Sequence, residues 1–170
     1  MITTGVYGDV RERATALGCT LSNGLTFLPD NLERVATADD LVVRGEVTTL
    51  RKVLTHGGVP STVLAGDSAR SPGFVHNKSH DWAVPVIFVS AELMKTSPDM
   101  IGLAIDLIRD YAVSLFKGVG ADRSVKAEIV VELTEDGTFQ KITYEGAAEG
   151  LSEITKMVAT IHAQDNSRHC

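Results

Sequence analysis

Residues 124–144 constrain the fold of this chain more than any other stretch. Val125, Ala127, Ile129, Val131 and Leu133 alternate with Lys126, Glu128, Glu132 and Thr134, which is the period of a strand with one buried face. Asp136-Gly137 follows, a pair that tolerates φ > 0 in a two-residue hairpin turn. A turn there predicts Val131 opposite Ile142, Ile129 opposite Tyr144, and Glu132 opposite Lys141 as an outward ion pair. A hairpin with one apolar face needs cover, and both flanking segments supply it.

Upstream, Ser97-Pro98-Asp99 combines an N-cap residue, a proline suited to the first helical turn and an acid. The helix it opens, Pro98 to Lys117, is apolar around most of its circumference. Ile101, Ala104, Ile105, Ile108, Ala112 and Leu115 form one stripe, which Met100, Leu103 and Leu107 extend; Asp106, Arg109, Asp110 and Lys117 mark a narrow polar strip. Such a helix is sandwiched inside a domain or buried in an oligomer interface. Downstream, Ala147 to Ala163 reads as an amphipathic helix with Leu151, Ile154, Val158 and Ile161 inward.

The first half is less regular. Asp9 to Leu17 predicts a short helix closed by Gly18, and Asn23-Gly24 predicts a hairpin over Cys19 to Leu28. Leu41-Val42-Val43 suits a strand or a helix start, Glu46 to Thr55 a helix, and Ser61 to Ala65 a strand. Val84 to Ser90 is a continuous apolar run, as in a central strand buried on both faces. Together these predict one α+β domain over residues 1–163, with a mixed or mostly antiparallel sheet and a C-terminal helix–hairpin–helix unit. Residues 164–170 read as a flexible polar tail.

Composition narrows the function classes. A net charge of −6 and scattered basic residues disfavour nucleic acid. No apolar run approaches the length of a membrane span, and Met-Ile-Thr-Thr-Gly lacks signal-peptide character, so the expected location is the cytoplasm. Cys19 and Cys170 form no metal or redox motif with each other. Nothing in the sequence specifies a cofactor.

Polar chemistry concentrates in residues 66–82, a loop long enough to suggest function. His76 and His80 stand four apart with Asp81 beside them, the residue types of a metal site. Asn77, Ser79 and the preceding Pro72-Gly73, however, oppose the helix that this spacing needs. Gly66-Asp67-Ser68 after a strand resembles the nucleophile block of the SGNH hydrolases, which implies Ser68 as nucleophile. That family pairs the block with a late Asp-x-x-His, whereas here Asp165 and His169 are one residue further apart. Arg70 and Lys78 with Phe74 and Trp82 suit an anionic or planar ligand.

Strong scaffold signals without a coherent catalytic set lead to the expectation of a non-enzymatic binding, adaptor or regulatory domain, with a protein partner or a second copy of itself as ligand. Two alternatives use the 66–82 loop. One is a hydrolase, metal-assisted through His76, His80 and Asp81 or nucleophilic through Ser68. The other is a sensor of a small anionic or planar ligand through Arg70, Phe74, Lys78 and Trp82.

Overall fold

The computed structural model describes the chain apart from residues 30, 33, 38–39, 65–72, 76–81, 118–123, 134–137 and 168–170; at 43–44, 73–75, 82 and 165–167 it describes the backbone alone. In chain order the elements of the first half are β1 (Ile2–Tyr7), α1 (Val10–Ala16), β2 (Leu25–Phe27), β3 (Val42–Arg44), α2 (Glu46–His56), β4 (Ser61–Val63) and β5 (Gly73–Val75). The second half adds β6 (Trp82–Ala83), β7 (Ile87–Val89), α3 (Ala91–Thr96), α4 (Pro98–Phe116), β8 (Val125–Glu132), β9 (Phe139–Gly146) and α5 (Ser152–Ser167). A 3₁₀ turn, Ala148–Leu151, leads into α5.

The alternating segment becomes β8 in the middle of a mixed sheet ordered β1-β9-β8-β7-β2-β4, with β6 also paired to β8. The hairpin forms in a different register from the one a two-residue turn dictates. Ile129 lies opposite Ile142, Val131 opposite Gln140 and Glu132 opposite Phe139. Leu133 N–H donates to Thr138 O at 3.0 Å, so the connection spans 134–137 rather than Asp136-Gly137 alone. A displacement of two residues leaves the inward and outward sets unchanged, because the strand period is two. It carries Phe139 along β8 to a place where its ring meets Phe88, centroids 6.2 Å apart.

The sheet is covered on both faces. On one side α2, α4 and α5 pack over Val125, Ala127, Ile129, Val131, Ile142 and Tyr144. On the other, Phe88, Val130 and Phe139 bury with Val10, Ala14 and Leu17 of the α1 region and with Leu28, Leu32 and Leu41. Val130, the residue that breaks the alternation of β8, belongs to this second core. Arg13 ties the loop of that core to α1, its Nε donating to Leu32 O at 2.9 Å and its Nη2 to Val35 O. Asn31 clasps the same loop, donating to Asp40 O at 2.8 Å and accepting from Val42 N–H at 2.9 Å.

Elsewhere the sequence expectations divide. Helices over Asp9 to Leu17, Glu46 to Thr55 and Pro98 onward appear, and the 41–43 segment resolves as a strand. β7 is a central strand buried throughout, as its apolar run implies. The hairpin expected over Cys19 to Leu28 does not form. β2 instead lies between β4 and β7, and a strand paired on both edges leaves no room for a local partner. Ser97 makes no side-chain capping bond; its backbone is taken up as the end of α3, with Ser97 N–H donating to Leu93 O at 2.9 Å. Helix α5 runs to Ser167, four residues into the segment that reads as a tail.

Tyr144 closes the helix–hairpin–helix unit. Its hydroxyl donates to Ala147 O at 2.6 Å, and a Cβ on Gly150 would stand 2.1 Å from that oxygen. Glycine at 150 is therefore a packing requirement. Burial, followed by the charges of Glu153 and Glu149, pushes the phenol up from its usual range, which keeps it a donor.

Candidate functional site

Helix α4 buries Ile101, Ala104, Ile105, Ile108 and Ala112 against the sheet, but Leu103 and Leu115 remain 43% and 44% exposed. Leu115 thus departs from the buried stripe its spacing implies. Beside Leu103, an open groove of about 640 Å³ runs between α4 and α5. Its floor is Met94, Ile101 and Val158, all nearly inaccessible to solvent. Gly102, Ala159 and Ala163 present little bulk along its walls, and at Gly102 the helices approach so closely that a Cβ would stand 3.3 Å from Thr155 Cγ2. Over Pro98 to Asp106 and Thr155 to Ala163 it follows each helix for roughly 12 Å, at 1.5 Å per residue.

Its rim is acidic. Asp99 and Asp106 border the apolar floor. Asp106 lies 3.4 Å from Arg109, which also contacts Asp110 at 3.1 Å, so the polar strip read from the sequence is an ion-pair cluster at the edge of the groove. Thr155 Oγ1, in the groove wall, is buried without a hydrogen-bond partner. A buried hydroxyl in that state costs stability that a methyl group of the same shape does not. Thr155→Val is expected to raise stability by about 1 kcal/mol, or roughly 2–4 °C in Tm. Thermal unfolding of the two proteins checks this.

A second, more open notch of about 470 Å³ lies beside Arg11 and Glu132 on the opposite face of the sheet. Arg11 Nη2 donates to Glu132 Oε1 at 3.1 Å and its Nε donates to Oε2. Glu132 Oε1 also accepts from Ala91 N–H at 3.0 Å, at the start of α3. The bond to Glu132 raises the Arg11 pKa further above its ordinary value, outweighing desolvation. The two charges engage each other, Glu132 also holds the Ala91 N–H and Arg11 Nη2 donates to Asn23 Oδ1 at 3.4 Å, so this cluster is a tie between α1, β8 and α3. It also corrects the expected Glu132–Lys141 pair. In the observed register Lys141 approaches Glu128 instead, at 3.9 Å, and Lys126 stands 3.6 Å from the same carboxylate.

The sequence candidates lie elsewhere. Ser68, Arg70, His76, Lys78, His80 and Asp81 fall outside the described residues, and Phe74 and Trp82 are placed by backbone only, on β5 and β6. Among the described residues no group of three or more His, Cys, Asp or Glu is arranged to hold a metal ion, and no helix is long and apolar enough to cross a membrane. Cys19 is buried, its Sγ 3.9 Å from Leu17 O. The groove was not foreseen from the sequence. Its only local sign is small residues at 102, 159 and 163, on helices whose neighbours along the chain are bulky. Comparison of the chain with protein-family models, with curated proteins and with solved structures gives no match.

Proposed function

We propose that this chain is a protein-interaction domain that works by binding rather than catalysis, receiving an apolar, positively charged segment of a partner protein in the α4–α5 groove. The observation that carries this reading is the pairing of an apolar floor with an acidic rim, Asp99 and Asp106. Apolar contact supplies affinity in such a groove, and charge at the rim selects the partner and its orientation. An amphipathic helix fits by placing apolar side chains every third or fourth residue along the floor. The net charge of −6 adds a long-range attraction for a basic segment.

Two synthetic amphipathic helices with identical leucine positions, one carrying lysine and the other glutamate, test this directly. Fluorescence anisotropy should show binding of the lysine peptide and little of the glutamate peptide. The double variant Asp99→Asn, Asp106→Asn should weaken the lysine peptide by roughly 3–10-fold, as rim charges do. Equal binding of both peptides, or no response to the double variant, would overturn the reading.

A further inference from the structure

One end of the sheet is β1, whose far edge pairs with no strand among the described residues. Met1 N donates to Glu145 O at 2.7 Å, and Glu145 N–H donates to Met1 O at 2.9 Å. Hydrogen-bonded pairs alternate along an antiparallel ladder, so Thr3, Gly5 and Tyr7 likewise turn their main-chain groups to β9. Ile2, Thr4 and Val6 must then turn theirs outward. The edge presents three N–H and three C=O groups in a row.

Edge strands are commonly blunted by lysine, proline or a bulge. β1, Ile-Thr-Thr-Gly-Val-Tyr, has no charge and no proline, and its register to β9 is continuous. Val6 is 87% exposed, the highest value among the large apolar side chains described. Gly5 has no positive φ, and a Cβ there would meet nothing within 4 Å. Among the described residues nothing calls for glycine at a position where it weakens a strand, whereas close approach of a second backbone is a recognised use of it.

We propose that β1 pairs antiparallel with β1 of a second copy, across a twofold axis through Thr4. Residue numbers opposite each other then sum to eight, so Thr4 faces Thr4 and Ile2 faces Val6 of the second copy. Within β1, no other antiparallel register pairs all six outward groups. The same symmetry places an Ile–Val pair on either side of a central Thr–Thr pair, the latter a favourable cross-strand combination. These side chains lie on the face that carries Tyr144 and Ile142, so the dimer extends the helix-covered face of the sheet and buries Val6. The contact is isologous and closes on itself. It involves no residue of the α4–α5 groove, and either proposal can fail without the other.

Native mass spectrometry and light scattering of the full chain should report a dimer. Thr4→Pro removes an outward N–H at the axis without touching the ladder to β9, a placement at which an edge strand tolerates proline. It should raise the dimer dissociation constant roughly 10–100-fold, with unchanged far-ultraviolet circular dichroism and unchanged binding of the lysine peptide. Val6→Lys, at an exposed position, should do the same and reads the proposal if the proline variant does not fold. A monomeric wild-type protein, or a dimer indifferent to both variants, would overturn the proposal.

Discussion

Phe88→Ala should destabilise the protein by about 3–5 kcal/mol, the usual range for truncating a buried aromatic. Phe88 is fully buried in the second core, between the α1 region and the sheet. Its ring contacts Phe139, and the Arg11 guanidinium lies 5.7 Å from its centroid. Truncation removes the transfer free energy of the ring and leaves a cavity. β7 is hydrogen-bonded to β2 on one side and β8 on the other, and so cannot shift to fill it. For a chain of this length the loss corresponds to a fall of roughly 6–20 °C in Tm. Chemical and thermal unfolding would measure it, and a loss below 1 kcal/mol would mean that the site collapses freely. Leu103→Ala, on the exposed side of α4, is the matched control, with 43% of its surface already in contact with water.

Glu132→Ala is the second large effect, a loss of about 2–4 kcal/mol. The Glu132 side chain is 13% exposed and accepts from both nitrogens of a bidentate Arg11 and from the first N–H of α3. Charge-assisted bonds are worth about 1.5–3 kcal/mol each when their partners stay buried. Arg11 is more exposed, so water recovers part of that loss and the net falls well short of the sum. Ala91 N–H has less recourse, and α3 should loosen at its first turn. Glu128→Ala provides the contrast, since Glu128 meets two lysines only at 3.6 and 3.9 Å. Surface pairs of that kind contribute between 0 and about 1 kcal/mol. Equal effects at 128 and 132 would refute the assignment of Glu132 as the tie.

Some of the fold was legible because its signals are local. The alternation of β8, the helix opened by Pro98 and the inward set of α5 all follow from periodicity within one element. β1 and α3 were missed although local cues exist. Ile2-Thr-Thr-Gly-Val-Tyr7 is rich in β-branched and aromatic residues, but Gly5 interrupts it. Ser90, whose Oγ accepts from Leu93 N–H at 3.1 Å, caps a helix only six residues long, too short to show a period. The Asn23-Gly24 hairpin failed for the opposite reason, a local turn signal overruled by non-local pairing of β2 on both edges.

By itself the sequence determined an α+β chain in which one strand pair supplies an apolar face and two apolar helices require it. That much depends on spacing along the chain, which composition and period record. Only the tertiary structure decided which partner Glu132 takes, because Arg11 is 121 residues away. It also decided that α4 and α5 flank an open groove and that β1 forms an open edge of the sheet. A groove depends on the distance between helices, and an open edge on which strands find no neighbour. Both arise from contacts between residues far apart in sequence, and no local pattern encodes them.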